Sequence, residues 1–398
     1  MKLPSLDYRK TVSKLEAFRG CWPYQNREKN MFYLFIHSLI SLTEIVFIGT
    51  QFARVVSEDF VLSLEALGAF LVTEIGFLKL FMSWIYRKKQ KEIYDRINSD
   101  WDTFTDRDEV EVLDKFSQEA LEIFLLYAGL LLLSVTGFGG ISVMREHFKY
   151  LFVANTTFRT MDLPIPAYYF GIESGYHIKL TQQFIAGFGC IFLHLAHDTA
   201  YNGQVHHVCS ILEISKVHLK RTSEILLRMQ KFSTFDKTEY IKALNNKIVS
   251  AIKVHGRALE LVPIIESYYR MTWLLVLVQN MIGTGISLMI IAHKTDDLIE
   301  LIRYTIPIFS IALHFYIVYL PGQKLIDTSL GVGDAFYECE WYNFPPGIRK
   351  LLIPVIQRSQ RYCYLTGGGF FQLCMETYFE MMKKGFSIFT VLSTFLNE

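Results

Sequence analysis

The sequence has almost no net charge: 40 lysines and arginines stand against 39 aspartates and glutamates, leaving +1 over 398 residues. That balance excludes a strongly basic nucleic-acid binder, and neither a zinc-knuckle spacing nor a phosphate-binding glycine loop occurs to reopen the possibility. Cysteine is scarce too. The six present (Cys21, Cys190, Cys209, Cys339, Cys363 and Cys374) are scattered, most of them in apolar or expected cytoplasmic stretches, so no disulfide framework is indicated. No Gly-x-Ser-x-Gly elbow or related frame organises the plentiful Ser, His and Asp residues, so nothing points to an enzyme or a cofactor. The opening residues, MKLPSLDYRKTVSKLEAFRG, lack the short apolar core of a secretory signal, and the first apolar segment is expected to direct membrane insertion itself. Internal repeats and low-complexity tracts are absent, and the chain reads as a single domain.

What the chain has is grease. It is 51% hydrophobic and 15% aromatic, with a mean hydropathy of +0.24, which marks an integral membrane protein. Segments long enough to cross a bilayer recur at Met31–Gly49, Phe60–Tyr86, Glu122–Met144, Tyr176–His197, Met271–Ala292, Tyr304–Gln323 and Tyr362–Leu396. Lysine and arginine crowd the first thirty residues, the loop after the second span and the loop between the fourth and fifth. The alternate loops are poorer, so the positive-inside rule puts the N-terminus in the cytoplasm and, after seven spans, the C-terminus outside. An Asn155-Thr156-Thr157 sequon falls in a loop that this topology exposes to the exterior, where Asn155 is a candidate glycosylation site. The predicted fold is therefore an all-α membrane protein of seven transmembrane helices.

The end of the chain is patterned differently. From Phe370 to Leu396, Thr377, Glu380, Lys384, Ser387, Val391 and Thr394 share one helical face, while Phe379, Met382, Phe386, Phe389 and Leu396 share another. Such a helix would be roughly 40 Å long, enough to span a hydrocarbon core of about 30 Å. A polar seam in a spanning helix needs water or protein beside it, and copies gathered about an axis would line a pore. Val391, the one apolar member of the seam, would then form a ring able to close a narrow pore by dewetting. The alternative at this point is an amphipathic helix lying on the membrane or against the protein's own core.

Between spans four and five, Ile241, Leu244, Ile248, Ile252, His255, Leu259 and Val262 are spaced by threes and fours, predicting long helices that project into the cytoplasm and pack there. The stretch before the seam, GIRKLLIPVIQRSQRYCYLTGGG, predicts a basic helix interrupted by Pro354 and ended at Gly367–Gly369, so the seventh span should be split. Glu44, Glu74 and Lys79 lie within spans and are costly unless paired or wetted, which suggests Glu44 or Glu74 as the partner of Lys79. His194, His197, Asp198, His206 and His207 have helical spacing that would suit a metal, but interhelical hydrogen bonding is the simpler reading.

The C-terminal third resembles the insect odorant receptor family. The matching residues are Ala335, Trp341, Tyr342, Arg349, Lys350, Arg358, Ser359 and Gln360, then Thr366, Gly367, Gly368, Phe370 and Phe371, and finally Phe386, Ser387, Phe389, Thr390 and Leu392. Leu163-Pro164-Ile165-Pro166 is similar to the family's second extracellular loop, and Asp198 matches its fourth span. Lys384-Gly385 stands where the sister gustatory receptors carry Gln-Phe, and the long loop insertion of the family's co-receptor is missing. The chain thus looks like a ligand-tuning subunit.

The resemblance implies an odorant-gated, non-selective cation channel of the plasma membrane of sensory neuron dendrites, a heterotetramer with the odorant receptor co-receptor. Its ligand would be a small volatile organic molecule bound in the outer half of the bundle. Residues about 1–330 would form that bundle and about 331–398 the cytoplasmic anchor and pore helix. Val391 would correspond to the gate and Thr394 to a polar ring outside it, with Ser387 in the same seam. Ser134, Gly137 and Ile141 on span three resemble the pocket wall, with close helix packing as the alternative. Phe70, Leu71 and Glu74 on span two, Leu180 and Phe184 on span four, and Tyr304, Ile306 and Phe309 on span six are expected to complete it. Two other readings are a G-protein-coupled seven-helix chemoreceptor, which needs the opposite topology, and a gustatory-type channel.

Overall fold

A chain surrounded by lipid must satisfy its backbone N–H and C=O groups internally, and helices do this segment by segment. The computed structural model describes residues 8–152, 162–172, 175–231 and 237–397; the Asn155 sequon lies outside them. Among the described residues there are ten α-helices: α1 Tyr8–Phe18, α2 Arg27–Val55, α3 Phe60–Ile85, α4 Arg87–Thr103, α5 Arg107–Phe152, α6 Tyr176–Lys231, α7 Lys237–His293, α8 Leu298–Glu338, α9 Pro346–Ser359 and α10 Met375–Asn397. Six of them (α2, α3, α5, α6, α7 and α8) are long and apolar enough to cross a membrane. Side-chain caps mark several starts. Asn26 accepts from Glu28 N at 3.1 Å, Asp59 from Leu62 N at 2.9 Å, and Asp297 from Ile299 N and Glu300 N at 3.0 and 3.2 Å.

With 56 and 57 residues, α6 and α7 are each roughly 85 Å long, more than twice a hydrocarbon core. Their extra turns pack together beyond the bundle, as the spacing between spans four and five predicts. Leu244, Ile248 and His255 are buried there and Ile252, Leu259 and Val262 half-buried; only Ile241, at the tip, is exposed. Ion pairs and histidine–carboxylate contacts fix this inner end. Asp100 meets His207 at 3.0 Å and Arg257 at 2.7 Å, Glu109 meets His218 at 2.6 Å, and Arg221 reaches Asp106 at 2.8 Å and Asp108 at 2.7 Å. The Arg221 guanidinium, by donating a hydrogen bond, holds the Asp106 carboxyl below its ordinary pKa.

The end of the chain is split as expected, but at different residues. Helix α9 carries Pro354 inside it and stops at Ser359, well before the glycines. A two-stranded antiparallel hairpin follows, pairing Thr366 with Gln372 and Gly367 with Phe371. Its turn holds Gly368 and Gly369 at φ +72° and +90°, a region that disfavours any side chain. The seam helix consequently begins at Met375 rather than Phe370 and, with 23 residues, is roughly 35 Å long. The hairpin docks on α7: Thr366 N donates to Glu266 Oε2 at 2.7 Å and Gly368 N to Arg270 O at 2.9 Å.

Candidate ligand cavity and the C-terminal helix

Five helices, α3, α5, α6, α7 and α8, converge on a cavity of about 270 Å³, which Glu44 of α2 also touches. Its wall is largely apolar, built from residues such as Leu71, Ile75, Leu131, Phe138, Phe184 and Ile311. The helical period selects the lining: Tyr127, Leu131, Ser134 and Phe138 on α5, and Tyr304, Pro307, Ile311 and His314 on α8, form stripes at steps of three and four. Of the residues singled out from the sequence, Leu71, Ser134, Phe184 and Tyr304 lie on this wall. Phe70, Glu74, Gly137, Ile141, Leu180, Ile306 and Phe309 are not among its lining residues. Gly137 faces α8, where a Cβ would stand 3.1 Å from Ile306 Cδ1, and Phe309 is exposed.

A roof closes one end. Pro164, Ile165 and Pro166 line the cavity, and Arg303 Nη2 donates to the Pro164 carbonyl at 2.8 Å. Gln183 holds both backbone groups of Ile165, donating to its carbonyl at 2.8 Å and accepting from its N–H at 3.2 Å. Arg303 is kept in place by Glu300 at 3.0 Å, which also takes a guanidinium hydrogen bond from Arg145.

The other end is a buried polar knot. Lys79 of α3 is fully buried and its Nζ lies 2.6 Å from Asp198 Oδ1, 3.2 Å from His194 Nδ1 and 3.1 Å from His314 Nε2. Tyr127 donates to Asp198 Oδ2 at 2.8 Å, and His314 Nε2 is 3.1 Å from the same oxygen. Asn280 Nδ2 reaches His314 Nδ1 at 3.1 Å, so all five cavity helices are tied together. The partner of Lys79 is therefore Asp198 and neither Glu44 nor Glu74. Glu44 accepts from Gln182 Nε2 at 2.5 Å, and among the described residues Glu74 has only a 3.5 Å contact from Gln279.

Potential metal-ligand atoms of His194, Asp198 and His314 lie within 4.8 Å of one another. The central position is held by the Lys79 ammonium, within 3.2 Å of each residue. His206 and His207 are elsewhere: His206 Nδ1 contacts Asn202 O at 2.9 Å, and His207 pairs with Asp100. Tyr127, Gln279, Asn280 and His314 were not singled out from the sequence. Their signal was available, since each is a polar residue inside an otherwise uncharged span, where polarity is expensive unless turned inward.

Helix α10 packs on the chain through Met381 and Gly385, which are buried, and Ile388 and Leu392, which are half-buried. Its contact with α7 is close. A Cβ at Gly285 would stand 2.5 Å from Ile388 Cγ2, and one at Gly385 2.9 Å from Thr284 Cβ. The seam points away from the chain: Glu380, Lys384, Ser387, Val391 and Thr394 are exposed, Val391 by 55%. The hydroxyls bond back to their own helix, Ser387 to Lys383 O at 3.1 Å and Thr394 to Thr390 O at 3.0 Å. Phe379 and Phe386 are exposed as well, and Lys384 Nζ lies 5.4 Å from the Phe371 ring centroid.

A bundle of long apolar helices enclosing a roofed, largely apolar cavity is the build of a multi-pass membrane receptor. The profile of the family described as 7tm Odorant receptor matches residues 59–385, and the chain belongs to this insect odorant receptor family. Odorant receptor 85c of Drosophila melanogaster is 21% identical over 369 residues, covering 90% of this chain and 88% of that protein. Odorant receptor Or2 of Anopheles gambiae is 29% identical over 111 residues, a match to 28% of this chain and 29% of that one. The fold is that of the olfactory receptor OR5 from Machilis hrabei, solved in complex with eugenol. The TM-score is 0.77 at 13% identity, over 98% of this chain and 100% of that one.

Proposed function

We propose that the chain is the odorant-binding subunit of a ligand-gated, non-selective cation channel, assembled with the odorant receptor co-receptor as a heterotetramer in the dendritic plasma membrane. Small volatile organic molecules occupy the cavity, held by burial at about 25 cal/mol per Å² of apolar surface. Copies of α10 line the pore, with Val391 as its hydrophobic gate and Ser387 and Thr394 as polar positions along it. The observation that carries the reading is the double duty of α7. One of its faces walls the cavity through Asn280, Gly283 and Ile290, and the adjoining face meets α10 at Gly285. A ligand that moves α7 therefore moves the helix that bears Val391.

The test is electrical. Excised patches from cells expressing the chain with the co-receptor should pass cation current on application of volatiles, with no nucleotide or G protein present. Val391→Ala should raise the basal leak, and Thr394→Lys should lower cation permeability. Silence to a broad panel at normal surface expression, or wild-type leak and permeability in both variants, overturns the channel assignment.

A further inference from the structure

The polar end of the cavity has a definite hydrogen-bonding sense. Gln279 spends its side-chain nitrogen on the Leu71 carbonyl at 2.6 Å, and a carbonyl partner fixes which end of the amide is nitrogen. Gln279 lines the cavity, and among the described residues its side-chain oxygen has no hydrogen-bond partner. An acceptor thus stands at one end of a cavity whose wall is largely apolar.

Resting on the reading of this cavity as the odorant site, we infer that its preferred ligand is a small apolar molecule with one hydroxyl group, which donates to the side-chain oxygen of Gln279. A ketone or ester of the same skeleton brings only acceptors and cannot donate to that oxygen. A protonated amine also brings donors, but it must give up the solvation of a full charge to enter a largely apolar cavity. The hydroxyl supplies the donor without the charge.

The experiment compares heptan-2-ol with heptan-2-one, which share a carbon skeleton and differ in the donor. Equilibrium binding is measured on the purified full chain in lipid nanodiscs, with Kd referred to free aqueous ligand. The alcohol should bind about tenfold more tightly, the worth of one hydrogen bond of about 1.4 kcal/mol. In the Gln279→Leu variant the preference should fall below about twofold. Equal or tighter binding of the ketone by the wild-type chain overturns the inference, as does a preference retained in the variant or no binding of either compound. If the variant does not fold, the wild-type comparison still decides. Because the readout is binding, a chain that prefers the alcohol yet passes no current refutes the channel reading and leaves this one standing. A current with equal affinities does the reverse.

Discussion

Replacing Lys79 by methionine should cost the protein about 3 kcal/mol. The side chain is fully buried, its nitrogen lies 2.6 Å from Asp198, and the Asp198 side chain is itself only 1% exposed. Methionine fills much of the volume, so the loss is chiefly electrostatic. Removing one member of a buried ion pair costs about 3–5 kcal/mol, because the other charge stays buried without compensation. Here Asp198 keeps two donors, Tyr127 at 2.8 Å and His314 at 3.1 Å, which puts the expectation at the low end. Three kcal/mol is about a hundredfold in the folding equilibrium. The assay is a double-mutant cycle on purified protein, with Lys79→Met, Asp198→Asn and the pair compared by denaturant or thermal unfolding. The double variant should be more stable than the sum of the two losses implies, by about 2 kcal/mol of coupling. Additivity within about 0.5 kcal/mol would show that the two residues do not act as a pair.

Three further outcomes follow from other contacts. Gly285→Ala should overpack the contact with Ile388 by about 1–3 kcal/mol and shift the odorant dose–response at least fivefold, with partial rescue by Ile388→Ala; an unchanged dose–response refutes the contact's importance. Arg303→Met removes a charged donor from the Pro164 carbonyl, a bond worth about 1.5–3 kcal/mol. Ligand should then dissociate about tenfold faster, and an unaltered dissociation rate would show that the roof does not retain it. At the inner end, the folded-state pKa of Asp106 is depressed by Arg221. Its contribution is therefore present above the ordinary aspartate pKa of about 4 and is lost only as pH falls through the lower folded value. Hydrogen-exchange protection of the α4–α5 turn, corrected for intrinsic rates, should be flat from pH 8 to pH 5; a decline beginning at pH 6 refutes the assignment.

The bundle was legible from the sequence because lipid imposes one constraint on every span. An uncharged run such as Met271–Ala292 has no way to satisfy its backbone except as helix, whatever packs beside it. The ends of elements obey weaker rules. Hydropathy marks where a helix leaves the lipid, not where it stops. The fourth span read as ending at His197, whereas α6 runs on to Lys231 with buried turns of its own. The seam helix erred the other way: its period extends back to Phe370, but Gly368 and Gly369 hold the chain in a turn that a helix cannot enter.

That misplaced end of the fourth span also explains why the partner of Lys79 was not found. Cutting the span at His197 leaves Asp198 outside the membrane, and Glu44 and Glu74 are then the carboxylates considered for Lys79. Once α6 continues, His194 and Asp198 lie one turn apart on one face, and α3 brings Lys79 against them across 119 positions of sequence. Period alone predicts that such residues face inward; it carries no information on which helix they face. The same limit applies to the cavity. Spacing relates Ser134 to Phe138 and Tyr304 to Pro307, yet the rotation that turns Ser134 inward and Gly137 toward Ile306 is set by the neighbouring helix. Polar residues in uncharged spans are the part of that rotation that a sequence does carry. Tyr127, Gln279, Asn280 and His314 each mark the inward face of their helix, because lipid will not solvate them.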